Sequence, residues 1–286
     1  MRSGLAAATS VTRSREGRYE VTIHPDWSVG GRPNGGYLMA LLVRAGLDAL
    51  PDPHAVTISA HFLSSPLPGP AQVRVKPLRA GKSTSTARLQ LRQGDTLRIE
   101  GHLTAGTLRS TAQLAADTGN GELSLDLLGA PEPLDRPENC LAVPEQVGAL
   151  TLPLMQRLHV RLDPSCVGFA SGNPTRRMRM GAWVQLPSDD PTDPLDPLLP
   201  LLASDCLPPT IWDLQPGGWA PTVELTCHLR ALPSQVPLSV WTHAGLVQDG
   251  WFDEEALVRD GSGHVVAQAR QLAKAPRPDS DTNRRT

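Results

Sequence analysis

Apolar residues recur along this chain in two rhythms, and both rhythms are used more than once. Between Asn34 and Leu50 the positions Leu38, Leu41, Leu42, Ala45 and Leu47 fall at helical spacing, which predicts a helix that is apolar around much of its circumference. Asn34 is placed to cap it, Gly35 and Gly36 permit close backbone approach at its start, and Pro51 marks its end. Alternation then takes over. Thr84, Thr86, Arg88 and Gln90 oppose Ser85, Ala87, Leu89 and Leu91, as a half-buried strand requires. Strands are predicted at 55–64, 71–80, 84–93 and 96–105. A proline-rich turn, Ser65 to Pro70, joins the first two, and a Gln93-Gly94-Asp95 hairpin joins the last two.

The same sentence is written again downstream. Residues 55–106 superpose without a gap on 222–273: His61 meets His228, Pro66 meets Pro233, Pro70 meets Pro237, Val73 meets Val240 and Gly94 meets Gly261. Strands are predicted at 221–231, 238–247, 253–259 and 264–274. The second helix is expected within 191–214, ended or broken by Pro208 and Pro209. A helix followed by an antiparallel sheet, present twice, predicts an α+β chain of two like domains and a ligand site that needs both. The expected boundaries are a frayed N-terminus at 1–17, an N-terminal domain at 18–106, a surface linker at 107–150, a C-terminal domain at 151–276 and a disordered tail at 277–286.

Composition narrows the partners. Of 286 residues, 40% are hydrophobic and 20% charged, with a net charge of −2, so there is no basic surplus to expect nucleic acid or an anionic membrane. No apolar run is long enough to span a membrane, and the N-terminus lacks a signal-peptide core. Cys140, Cys166, Cys206 and Cys227 form no CxxC pair and all lie beyond residue 139. The expectation is free, buried thiols in a reducing cytoplasm. The eight histidines are dispersed, with no metal-binding set. GxSxG, Walker A and GxGxxG words are absent. Five of the six tryptophans lie in the second half, read as core and interface, with an apolar pocket as the alternative.

The polar residues that stand out belong to the second copy. Asp205 interrupts an apolar segment, where an ionised carboxylate needs hydrogen bonds. It either caps backbone groups near the proline break or carries chemistry. Thr222 opens a strand, and Gln271 lies inside the apolar run of the last strand, where a buried amide needs partners. The equivalent first-copy positions of Asp205 and Gln271 are Leu38 and Thr104. One copy has kept a polar set that the other lacks.

The words PNGGYLMALLVRA, SAHFLSSPLPGPAQVRVKPLRAGKSTSTARL, LLASDCLPP, VELTCHLRALP and DGSGHVVAQARQL, spread over most of residues 20–275, resemble the double-hotdog acyl-CoA thioesterases of the thioesterase II type. The resemblance implies a double hotdog, hydrolysis of an acyl-CoA thioester to fatty acid and CoA, and no cofactor or metal. It places Asp205, Thr222 and Gln271 on the family's catalytic Asp, Ser/Thr and Gln, which hold the attacking water. Backbone N–H groups near Gly35 and Gly36 would stabilise the oxyanion. Ser83, within a family word, serves either turn pairing or ligand contact. Arg79, Lys82 and Arg230 either meet CoA phosphates or form a solvated face. The other readings are a non-catalytic acyl-thioester-binding protein and a hotdog enoyl-CoA hydratase. Exposed sheet surface leads to the expectation of a homodimer or higher homo-oligomer.

Overall fold

The computed structural model describes residues 4–116, 133–147, 150–187 and 195–276. The N-terminal half comprises α1 (Leu5–Ala8), β1 (Thr12–Arg15), β2 (Arg18–Ile23), α2 (Gly35–Ala49), β3 (His54–Phe62), β4 (Gly69–Ala80), β5 (Ser85–Gln93) and β6 (Thr96–Gly106). The C-terminal half comprises α3 (Thr111–Ala116), β7 (Leu141–Ala142), β8 (His159–Leu162), β9 (Arg179–Gln185) and α4 (Leu199–Ala203). It ends with β10 (Thr222–Leu229), β11 (Leu238–His243), β12 (Val247–Gln248), β13 (Trp251–Arg259) and β14 (Val265–Lys274).

These fourteen strands form one sheet in the order β1-β2-β4-β5-β6-β3-β10-β14-β13-β11-β9-β8-β7, with β12 paired to β13, and two small two-stranded ribbons lie outside it among the described residues. Read outward from the β3–β10 junction, the order β3-β6-β5-β4-β2 is matched by β10-β14-β13-β11-β9. The repeat is therefore a repeat of topology. Ser59 is the sequence equivalent of Thr226, and these two residues face each other in the antiparallel junction, their hydroxyls 2.9 Å apart. A pseudo-two-fold axis passes between them.

Alternation along the strands sends one set of side chains to the helices. Val73, Leu89, Leu91, Ile99 and Leu103 are fully buried beneath α2, and Leu225, Cys227, Val240, Val258 and Ala267 do the same beneath α4. The two helices pack on each other at the centre. This is the double-hotdog architecture implied by the resemblance. Pro208 and Pro209 lack the N–H groups a helix interior needs, and α4 is accordingly five residues long against fifteen for α2. Arg44 on α2 reaches across the halves to the buried carboxylate of Asp196 at 2.5 Å.

Two expectations about boundaries differ from the structure. Residues 5–15 are not frayed: Leu5 and Ala8 are buried in the core, and the Tyr37 hydroxyl donates to the Ala8 carbonyl at 3.1 Å. Small apolar side chains that look unremarkable in sequence suffice to anchor one helical turn. The stretch 107–150 is not simply a surface linker either. Thr111 donates to the buried Asp260 at 2.5 Å, Cys140 is buried, and β7 adds an edge strand to β8. The expected tail, 277–286, and much of the expected linker, 117–132, lie outside the described residues. No helix among the described residues is long and apolar enough to cross a membrane.

Candidate active site

The start of α2 is where the two halves exchange functional groups. Asn34 caps the helix, its Oδ1 accepting from the Tyr37 N–H at 2.9 Å, as an N-cap side chain should. The same side chain turns its Nδ2 outward to the other half, donating to the Asp205 backbone carbonyl at 2.7 Å and to Asp205 Oδ2 at 3.1 Å. The Gly36 N–H donates to the same Oδ2 at 2.7 Å. Both glycines stand in tight contact with the other half. A Cβ on Gly36 would stand 3.1 Å from the Leu201 carbonyl and 3.2 Å from Asp205 Cβ, and one on Gly35 would stand 2.8 Å from Asp205 Oδ2.

Asp205 thus sits on the positive end of a fifteen-residue helix from the opposite half. Only part of its surface meets solvent, and protein encloses the rest. Burial pushes its pKa up to about 7; the Gly36 N–H opposes this, the charge of nearby Glu254 adds to it, and Asn34 and the Gly35 N–H oppose it. A carboxylate poised near neutrality is suited to take a proton from water. Its hydrogen bonds fall on Oδ2, so Oδ1 is the oxygen left for a further partner among the described residues.

Thr222 and Gln271 are in direct contact. The Thr222 hydroxyl donates to Gln271 Oε1 at 2.6 Å. Thr222 starts β10, which runs antiparallel to β3 with Glu224 opposite His61; this register brings Thr222 to the Phe62 end of β3. Phe62 packs beside Gly35, so Thr222 and the Asp205–Gly36 contact share one end of the junction. Glu254 joins the set. It faces Gln271 across β13 and β14, accepts from Gln271 Nε2 at 2.8 Å and from the Thr210 N–H at 2.8 Å, and is 5% exposed. Burial raises its pKa, opposed by the bonds from Thr210 and Gln271.

Two expected contributions differ from this arrangement. The Gly36 N–H is engaged by Asp205 rather than open to a substrate oxygen. Ser83 is exposed in the turn between β4 and β5, beside Gly106, which pairs with His54. That is the opposite end of β3, roughly 25 Å from Phe62 at about 3.3 Å per residue. Arg79 and Lys82 lie by the same far turn, and Arg230 follows Leu229 at the far end of β10; all three are exposed. At the near end the exposed groups include Leu63 and Trp219, with the Arg32 guanidinium 5.0 Å above the Trp219 ring. A cavity of about 720 Å³ lined by Arg179, Trp241, His243, Gln268 and Arg270 opens on the other face of the sheet, since Gln268 and Arg270 alternate with Gln271.

Sequence reading missed Glu254 because it lies in the acidic run Asp253-Glu254-Glu255, which looks solvated. The signal was the parity: Phe252, Ala256 and Val258 are buried, and Glu254 shares their face. Among the described residues no group of His, Cys, Asp or Glu is placed to hold a metal ion.

Known proteins resemble this chain in sequence and fold. Residues 23–110 match the acyl-CoA thioesterase N-terminal domain and residues 137–274 the acyl-CoA thioesterase C-terminal domain. An uncharacterized protein of Mycobacterium tuberculosis is 29% identical over 273 residues, spanning 90% of this chain and 91% of its own. The crystal structure of a Thermobifida fusca protein assigned as a thioesterase II is 33% identical, with a TM-score of 0.82 over 96% of this chain and 97% of that one. An acyl-CoA thioesterase II from Mycobacterium marinum shares the fold at 15% identity and a TM-score of 0.65, over 96% and 99% of the two chains. Matched in each half by its own family domain, and along its whole length by the Thermobifida protein, this chain belongs to the double-hotdog acyl-CoA thioesterases.

Proposed function

We propose that the chain hydrolyses acyl-CoA thioesters to the free acid and CoA by direct attack of a water molecule. The observation that carries this reading is the Asp205 carboxylate, held on the α2 N-terminus of the opposite half with a pKa of about 7, at the end of the junction where Thr222 and Gln271 are bonded. Water bound at Oδ1 gives a proton to Asp205 as its oxygen attacks the thioester carbonyl carbon. The Thr222 hydroxyl proton is committed to Gln271, so Thr222 Oγ1 accepts from that water, and the second N–H of Gln271 is available to the water or to the developing oxyanion. Collapse of the tetrahedral adduct breaks the C–S bond, and the thiolate takes up the proton. The Arg32–Trp219 pair at the rim offers a cation and a flat apolar surface, which are the features an adenine nucleotide tail needs.

Thiol release from acyl-CoAs of short to long chain tests the reading. Hydrolysis with a chain-length optimum, lost in Asp205→Asn, supports it. Binding without thiol release from any member of the series would leave an acyl-thioester-binding protein instead.

A further inference from the structure

The buried carboxylate of Glu254 has no counterpart in the first copy, where Ala87 occupies the equivalent buried position. It occurs only in the half that carries Thr222 and Gln271. A carboxylate is costly in such a place, and here both of its oxygens are used: Oε2 accepts from the Thr210 backbone N–H and Oε1 from Gln271 Nε2, each at 2.8 Å. Glu254 therefore presents only acceptors to Gln271. Facing an acceptor, the amide of Gln271 must turn its nitrogen to Glu254 and its oxygen to Thr222, and the Thr222 hydroxyl must then donate to that oxygen.

We propose that Glu254 is a positioning residue that sets the direction of this hydrogen-bond chain, so that Thr222 meets the attacking water as an acceptor. This rests on the hydrolytic reading above. Thr210, two residues past the Asp205-Cys206-Leu207 turn and its first proline, ties the same carboxylate to the loop that carries Asp205. Among the charged and titratable groups around the pair, Glu254 acts on Asp205 and His243 on Glu254, while Asp205 acts on the buried thiols of Cys206 and Cys227.

Glu254→Gln tests this with almost no change of shape. Glutamine has one acceptor, and the Thr210 N–H claims it. The new amide nitrogen then faces Gln271, whose amide must flip and offer N–H to Thr222. Thr222 is converted from acceptor to donor toward the water. The expected result is a fall in kcat of about 10- to 100-fold with KM nearly unchanged, the scale of loss from misplaced reacting groups. The acid limb of the kcat profile is expected to move to lower pH, because a negative charge beside Asp205 has gone. Glu254→Asp keeps the charge and the acceptors with a shorter reach. It is expected to retain the wild-type pH midpoint and an intermediate kcat. Wild-type kcat and pH profile in Glu254→Gln would overturn the proposal while leaving hydrolysis by Asp205 standing. Loss of thiol release in the wild type itself would take down both. Should Glu254→Gln not fold, Glu254→Asp decides alone: wild-type kcat, or a moved pH midpoint, overturns the proposal.

Discussion

Replacing Asp205 by asparagine separates what the site needs from what the fold needs. In D205N the side-chain carbonyl can still accept from the Gly36 N–H and from Asn34 Nδ2, which now bond Oδ2 at 2.7 and 3.1 Å, so the packing of α2 against α4 is kept. What disappears is an ionisable group whose native pKa is about 7 against an ordinary 3.8. At about 1.4 kcal/mol per pH unit, a shift of about three units amounts to about 4 kcal/mol. Partial solvent access screens the charge, and halving for it leaves roughly 2 kcal/mol. The sign follows from proton binding. Between about pH 4 and pH 7 the native protein holds a proton that the unfolded chain has released, so native stability falls as pH rises through that window and is level above it. D205N has no such titration. Thermal melts of both proteins followed by circular dichroism from pH 4 to pH 8 are the assay. The D205N advantage over wild type is expected to grow by roughly 2 kcal/mol from the acid end to pH 8, while thiol release is abolished. A gap that stays constant with pH, or one that shrinks as pH rises, would refute the assignment of Asp205 as a strained, proton-holding carboxyl.

Other outcomes follow from neighbouring contacts. Gly36→Ala places a methyl group 3.1 Å from the Leu201 carbonyl and 3.2 Å from Asp205 Cβ; thiol-release kinetics are expected to show kcat reduced by about 100-fold from the displaced carboxylate. Ser83→Ala, at the far end of β3, is expected to leave kcat and KM at wild-type values. Asp213 is buried, and its carboxylate accepts from the Thr175 hydroxyl and from the N–H groups of Thr175, Arg177 and Met178. Burial alone would raise its pKa, but these bonds hold it below the usual aspartate value. Asp213→Ala is expected to cost about 3 kcal/mol in urea unfolding at pH 7, and the cost is expected to diminish as pH falls below about 4, where the unfolded chain takes up a proton before the native carboxylate does.

The sheet was largely legible because alternation and turn chemistry are local. The strands predicted at 55–64, 84–93, 96–105 and 264–274 lie within two residues of the observed ones, and the ungapped superposition of the two copies foretold that one half repeats the other. Asp205 and Gln271 could be singled out because polar residues interrupt apolar runs there, and Thr222 because it opens the strand where the resemblance expects a hydroxyl. Asn34 was legible only as a cap. Its second bond joins residues 171 positions apart, and no local pattern encodes a partner at that distance. The oxyanion assignment of Gly36 went astray for the same reason: the sequence shows a free helix start, and only the tertiary fold shows the carboxylate that fills it. The short α4 followed from Pro208 and Pro209, whereas the packing of residues 5–15 depended on a hydroxyl and an arginine from α2, Tyr37 and Arg44, the latter donating to Thr9.

The β3–β10 junction makes the chain covalently divisible but functionally whole. Cut in the connection between the halves, each fragment would expose a long unpaired edge, His54–Phe62 on one and Thr222–Leu229 on the other, and such edges seek a strand to pair with. The preferred strand is the other fragment, since the Ser59 and Thr226 hydroxyls mark the register. Reassembly would also be the only way to return Asp205 to the helix start that holds it. Under the proposed hydrolytic reading, thiol release regained on mixing the two fragments would thus report sheet closure directly, and the chain would serve as its own sensor of fragment recombination.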